Sequence, residues 1–207
     1  MKVYFVRHGE SEANAGDIHQ NGTIGLSEKG REQAKFLGNR LSKLPIEFIY
    51  SSSMVRAKET TEIINTKINK PTEFTDLLAE GKNPSEIVGL KSTDPESIRI
   101  RQIMRENYGK PEWKYSDEEN FDEIKQRALQ ALDFLVNSGK NNILIVTHGG
   151  ILRQILCIMI FGESLTAVQD RKLLRFFYPS NTGITVCEYC EDKWHLITFN
   201  DIAHLAD

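Results

Sequence analysis

The sequence predicts an α/β fold: a three-layer sandwich with a mostly parallel central sheet flanked by helices, carrying an inserted irregular and helical cap segment over about residues 72–121. Three observations lead there. Short apolar runs alternate with amphipathic stretches of helical period along most of the chain. The two predicted central strands each end in a histidine followed by a glycine, at His8-Gly9 and His148-Gly149. Residues from about 72 to 121 have a different texture, rich in charge, Pro and Gly and weakly periodic.

Residues 3–6 are apolar and run straight into polar chemistry, as a buried strand ending at a site does. Ser27 can accept a hydrogen bond from a free amide at the start of a helix. Ala34, Leu37, Leu41 and Leu44 then recur at helical spacing until Pro45 stops the pattern. Residues 46–50 read as a second strand and 54–68 as a helix, with Met54, Ala57, Ile64 and Ile68 on one side and Pro71 closing it. After the cap segment, residues 122–138 form an amphipathic helix whose apolar face is Ile124, Ala128, Ala131, Leu132 and Leu135, ended by Gly139. Residues 143–147 are the strongest strand, followed by Gly149-Gly150 and an apolar helix to Phe161. Residues 184–189 and 194–199 alternate around Asp192-Lys193, which predicts a terminal hairpin. A length of 207 residues suits one domain spanning 1–207 with its insertion.

With 40% hydrophobic and 27% charged residues, the composition is that of a soluble protein. The net charge of −3 provides no global basic field, so neither nucleic acid nor an anionic membrane is an expected partner. The first apolar run meets Arg7 too soon for a signal peptide, and residues 151–161 are too few to span a bilayer. A cytoplasmic location is expected. Three cysteines without a secretory leader argue against a disulfide framework. Cys187 and Cys190 are spaced C-x-x-C, but they lie in an alternating run and no second pair completes a zinc site. His19, His195 and His204 have no metal-ligand spacing, so no metal and no cofactor are predicted.

Catalytic groups in open α/β sheets gather beyond the carboxyl ends of the strands. That rule points to Arg7-His8-Gly9-Glu10 after the first strand and to His148-Gly149-Gly150 after the strongest one. Arg56 follows the second strand, in the first turns of a helix. Guanidinium groups match phosphate oxygens in two-pronged geometry and stay charged near neutrality. Two arginines and two histidines facing one spot make a site for a dianion, and the partner it suits is a small-molecule phosphate ester.

These residues sit in blocks that resemble the histidine phosphatase superfamily, the phosphoglycerate-mutase-like fold. Residues 6–14, Val-Arg-His-Gly-Glu-Ser-Glu-Ala-Asn, look like its signature, and the likeness continues through residues 26–34. It returns at Ser51-Ser52, Arg56-Ala57 and Thr60, at residues 146–150, and at residues 181–184, in the family's order. The resemblance implies a metal-independent phosphatase working through a phosphohistidine intermediate. It implies that His8 is the nucleophile, one ring nitrogen attacking while a backbone carbonyl holds the other. It makes Arg7, Arg56 and His148 the groups that hold the non-bridging oxygens, with Gly149 beside them and Asn14 donating from the loop after the signature. The proton donor to the leaving oxygen is implied to be Glu80, in Leu77-Leu78-Ala79-Glu80. The residues that follow, 81–86, depart from the family's usual aromatic-Gly and second Glu-Gly pair, which makes Glu86 the rival donor.

Glu10 reads as a structural residue orienting the signature loop. Glu119 either orders the pocket or belongs to the charged start of the next helix. Arg99, Arg101, Arg105 and Lys110 form a basic stretch that either meets a second anionic group or is a solvated helix face. Asn200-Asp201 and His204-Leu205 resemble a common family ending that ties the tail down. The rival functions are a phosphoglycerate mutase, which returns the phosphoryl group to the substrate, and a non-catalytic binder of phosphorylated ligands. The few residues after the last strand favour hydrolysis over the mutase, and the intact set of catalytic residue types favours an enzyme over a binder. The physiological substrate and the choice between monomer and homodimer stay open.

Overall fold

The protein is described by a computed structural model covering residues 1–205. The first strand, β1 (Lys2–Arg7), places Val3 and Phe5 on one face of the sheet and Tyr4 and Val6 on the other, all buried. A strand buried on both faces must be covered by helices on both sides. Short helix α1 (Glu12–Ala15) follows, then α2 (Glu28–Leu41), capped by Ser27, whose hydroxyl accepts from Gly30 N. Strand β2 (Phe48–Ser52) starts later than the periodicity suggests and runs on through Ser51 and Ser52. Both serines are buried but hydrogen-bonded, so a polar strand end costs little here. Helix α3 (Val55–Ile68) leads to β3 (Thr72–Thr75).

The edge strand β3 corrects the boundary of the cap. Residues 72–75 pair in parallel with β2 and belong to the sheet. Their side chains are half-buried or exposed, so they lack the apolar run that marks an interior strand. Beyond them come 3₁₀ turns at Asp76–Leu78 and Ser85–Ile87 and helix α4 (Pro95–Asn107), with Pro95 in its first turn. Helix α5 (Phe121–Asn137) has the predicted apolar face and a capping box between Asn120 and Glu123. Strand β4 (Ile143–Thr147) is wholly buried and feeds α6 (Gly149–Phe161). A further helix, α7 (Ala167–Phe176), was not anticipated. The hairpin β5 (Ile184–Cys190) and β6 (Lys193–Asp201) turns at Glu191-Asp192, one residue earlier than expected. Both turn residues have positive φ, 50° and 58°, as a tight two-residue hairpin turn requires.

The six strands form one sheet in the order β3-β2-β4-β1-β5-β6, parallel through the first four and antiparallel at β5 and β6. One face packs on α2 and α3 through Leu37, Leu41, Ala57 and Ile64. The other packs on α5, α6 and α7 through residues such as Ala128, Leu135, Ile151 and Ile155. Because β1, β2 and β4 are parallel neighbours, their carboxyl ends lie side by side on one edge of the sheet. No helix of the described residues is long and apolar enough to cross a membrane. Cys187 is buried in β5 and Cys190 is exposed at its end, so the C-x-x-C pair belongs to a strand.

Candidate active site

His8 lies just past β1, hydrogen-bonded through its amide to Thr147 O at the end of β4. Its ring is almost fully buried, at 2% exposure. Nδ1 is 2.6 Å from Gly9 O and Nε2 is 3.1 Å from Arg56 Nε. A carbonyl only accepts and a guanidinium only donates. Together they assign the hydrogen to Nδ1 and leave the Nε2 lone pair directed outward from the ring toward Arg56. The loop holding the ring is packed backbone to backbone: a Cβ on Gly9 would meet Gly30 O at 2.5 Å, and one on Gly30 would meet Glu10 O at 1.9 Å. Glycine is needed at both places for this approach rather than for a left-handed turn.

Arg56 enters from the start of α3 and is 1% exposed. Its Nη1 donates to Asn21 O at 2.8 Å. Burial, with Arg7 adding to it, lowers its pKa to about 10 against the opposing charge of Glu80, so it remains a cation at neutral pH. Arg7 Nη1 donates to Pro179 O at 3.0 Å, while its Nε is buried with no protein partner. His148 is fully buried, its ring 5.0 Å from that of His8. Its Nε2 is 2.7 Å from Ser52 Oγ, and Nδ1 has no partner. Ser52 Oγ already accepts from Met54 N, so it is set to donate to Nε2, which puts the ring hydrogen on Nδ1. An unpaired buried donor costs about 1–3 kcal/mol, and an anion lying between Arg7 Nε and His148 Nδ1 would recover that cost.

Glu80 reaches the same place from the segment after β3. Its carboxylate accepts from Gly150 N at 2.9 Å and Ile151 N at 3.0 Å, two free amides in the first turn of α6. A Cβ on Gly150 would come within 2.3 Å of Glu80 Oε1, so the second glycine of the His-Gly-Gly run makes room for the carboxylate. Glu80, Arg56, Asn21, Met54, Lys82 and Asn83 line a cavity of about 430 Å³. Lys82 is the cation on its outer side, paired with Asp117 at 2.8 Å.

Burial, and then the charges of Arg56 and Arg7, hold the pKa of His8 well below the usual histidine range, against the opposing pull of the Gly9 carbonyl. His148 is lowered in the same way, by burial first and then by His8 and the arginines. Above about pH 6.5 neither the folded nor the unfolded chain protonates these rings. As pH falls below that, the unfolded chain takes up protons that the folded chain refuses. Stability is therefore lost on acidification until the folded-state pKa values are reached. The limiting slope is about 1.4 kcal/mol per pH unit for each ring. Thermal unfolding followed from pH 7.5 to 5.5 is expected to show a falling Tm, with a shallower fall in His8→Gln. An identical profile in the variant would show that His8 does not couple to folding.

A family model described as the histidine phosphatase superfamily, branch 1, matches residues 3–202. The chain belongs to the histidine phosphatase superfamily. Among its relatives in that superfamily, phosphoglycerate mutase-like protein 4 of Arabidopsis thaliana is 29% identical, over 100% of this chain and 87% of the relative. The metal-independent phosphoserine phosphatase of the same plant is 28% identical, over 99% of this chain and 83% of the relative. The solved structure of Bacillus stearothermophilus YhfR superposes with a TM-score of 0.81 at 27% identity, covering 99% of this chain and 98% of that one.

Within this superfamily fold the structure brings Arg7, His8, Arg56, Glu80, His148 and Gly149 together at the edge of the sheet. Asn14 lies in α1, where its Oδ1 accepts from Ser11 N in a capping box, leaving the amide hydrogens as donors. Glu86 is exposed, accepts from Ser116 Oγ at 2.7 Å, and does not line the cavity. Glu10 braces the signature loop through Ser27 and Lys29. Of the basic stretch, Arg99 is tied to Glu96 and Lys110 to Asn107 on exposed surface, and neither lines the cavity beside Glu80. The tail is held by Arg40 on Asp201 and by Asn200 on Ser180. Four supporting groups had no role assigned from sequence: Ser52 on His148, Thr60 accepting from Gly9 N, Asn181 donating to His8 O, and Arg127. The first three fall inside the family-like blocks, so the motif marked the positions without their functions. Arg127 lies outside those blocks.

Proposed function

We propose that this chain is a metal-independent phosphomonoester hydrolase that transfers the phosphoryl group of a small phosphorylated metabolite through His8. The observation that carries this is the His8 ring. Gly9 O holds Nδ1–H, and the lone pair on Nε2 stands among Arg7, Arg56 and His148. A nucleophile must be unprotonated at the attacking atom, and the lowered pKa keeps it so.

In the first step the Nε2 lone pair attacks phosphorus and the ester P–O bond breaks. Arg7 Nε, His148 Nδ1–H, Arg56, the Asn14 amide and Gly149 at the start of α6 hold the non-bridging oxygens. Most catalysis of phosphoryl transfer comes from such fixed charge. Arg56 Nε turns from the ring to an oxygen as Nε2 becomes bonded. Glu80 gives its proton to the leaving alcohol. In the second step water attacks phosphorus, Glu80 takes the water's proton, and the P–N pair returns to Nε2. Phosphate leaves and Glu80 is again protonated.

Guanidinium groups provide the charge neutralisation that a divalent ion provides elsewhere. Among the described residues no three His, Cys, Asp or Glu side chains cluster so as to hold an ion. The name of the metal-independent phosphoserine phosphatase relative supports the same reading. The cavity of about 430 Å³, lined by the amides of Gln20, Asn21 and Asn83, by Lys82, and by apolar Met54 and Val88, suits a compact alcohol portion. Release of p-nitrophenol and inorganic phosphate from p-nitrophenyl phosphate is expected to be unchanged in excess EDTA. Loss of activity with the chelator and recovery with magnesium would overturn the mechanism. Conversion of 3-phosphoglycerate to 2-phosphoglycerate without phosphate release would establish the mutase reading instead.

A further inference from the structure

Glu80 stands on a segment with little regular structure, yet its carboxylate must meet a leaving oxygen within hydrogen-bond reach. Something outside the substrate cavity has to fix that segment. The carbonyls on the approach to Glu80 are all hydrogen-bonded. Leu78 O accepts from Thr147 Oγ1 at 2.8 Å, at the end of β4. Leu77 O and Ala79 O both accept from one group, Arg127 Nη1, at 3.2 and 2.6 Å.

Arg127 projects from α5 and makes four hydrogen bonds to three groups. Nη1 takes the two carbonyls. Nε and Nη2 take Glu119 in a two-pronged ion pair at 2.8 and 2.6 Å. Glu119 in turn accepts from Lys82 N at 3.3 Å, and its own amide donates to Lys82 O at 3.2 Å. The chain is therefore gripped on both sides of Glu80: directly at residues 77 and 79, and through Glu119 at residue 82. The pair is mostly buried, with side-chain exposures of 16% and 22%. Only a planar, forked cation can serve a carboxylate and two carbonyls at once; a lysine has one nitrogen for all three.

We propose that Arg127, with Glu119, is a positioning residue that holds Glu80 in register with the leaving oxygen. Its hydrogen bonds go to Glu119, Leu77 O and Ala79 O and to none of Arg7, His8, Arg56 or His148, of which His148 feels its charge at longer range. Its loss leaves phosphate binding and attack in place and loosens only proton transfer. This rests on Glu80 being the donor, and the test separates the two claims.

The experiment compares kcat/KM, which reports the step that expels the alcohol and not the shared hydrolysis of phosphohistidine, for an alkyl phosphate and for p-nitrophenyl phosphate in Arg127→Met, Arg127→Lys, Glu80→Gln and the Glu80→Gln/Arg127→Met double variant. A misplacement of about an ångström costs on the order of 10²-fold in rate. Arg127→Met is expected to lower the alkyl-to-aryl ratio by roughly 10- to 100-fold, with the aryl ester nearly unaffected. In the double variant the ratio is expected to equal that of Glu80→Gln, because a donor already lost cannot be misplaced. Arg127→Lys keeps a cation beside Glu119, guards against loss of fold, and is expected to fall between. A purely structural role would slow both esters together or add to the effect of Glu80→Gln, and either result overturns the proposal. If Glu80→Gln itself leaves the ratio unchanged, the donor assignment fails and the role of Arg127 fails with it.

Discussion

His8→Ala is expected to lower kcat by on the order of 10⁴- to 10⁶-fold, the range associated with removing a nucleophile that nothing else replaces. The geometry explains why no neighbour rescues it. Arg7 and Arg56 are cations without a lone pair. His148 has its Nε2 engaged with Ser52, and the hydrogen on its Nδ1 makes that atom a donor. The parent protein, quenched during turnover of a labelled substrate, is expected to yield a phosphoenzyme that is labile in acid and stable in base. The variant is expected to yield none. Tm measured alongside separates chemistry from folding, since the ring fills a fully packed position. A phosphoenzyme of the same lability in His8→Ala would move the nucleophile to His148 and reverse the roles of the two rings.

The second large effect belongs to Glu80. A general acid matters in proportion to the basicity of the oxygen it protonates. An alkoxide leaves badly without a proton, whereas p-nitrophenolate leaves well. Glu80→Gln is expected to lower kcat/KM, which reports only the steps through loss of the alcohol, by on the order of 10²–10⁴ for alkyl phosphates and far less for p-nitrophenyl phosphate. Glu86→Gln is expected to change neither, because Glu86 is exposed and bonded to Ser116 away from the cavity. The opposite pattern, with leaving-group dependence in Glu86→Gln and uniform slowing in Glu80→Gln, would transfer the donor role to Glu86.

What was legible from residues alone follows from where the strong local signals lie. Strands β1 and β4 announced themselves because each is buried on both faces and so must be apolar throughout. Helices α2 and α5 did so because one apolar stripe faces the sheet. Strand β3 was hidden inside a polar stretch because an edge strand needs pairing on only one side and little apolar surface. Helix α7 escaped because its exposed positions include Val168 and Phe176, which blur its stripe. The bonds from Ser52 to His148 and from Asn181 to His8 O join residues far apart in the chain, and no local pattern reports such a pairing.

By itself the sequence determined the α/β layering, the family, and the residue types at the candidate site: Arg7, His8, Arg56 and His148, each at the end of a strand or soon after it. Those conclusions need only short-range regularities, since hydrophobic period and motif order survive without coordinates. That Glu80 and not Glu86 lines the cavity needed the tertiary structure. So did the tautomer of His8 and the reach of Arg127 from α5 to the carbonyls before Glu80. Each depends on which atoms from distant segments come within about 3 Å of one another, because hydrogen bonds fail steeply with distance and angle. Spacing along a chain does not encode that convergence; the packing of helices on a shared sheet does.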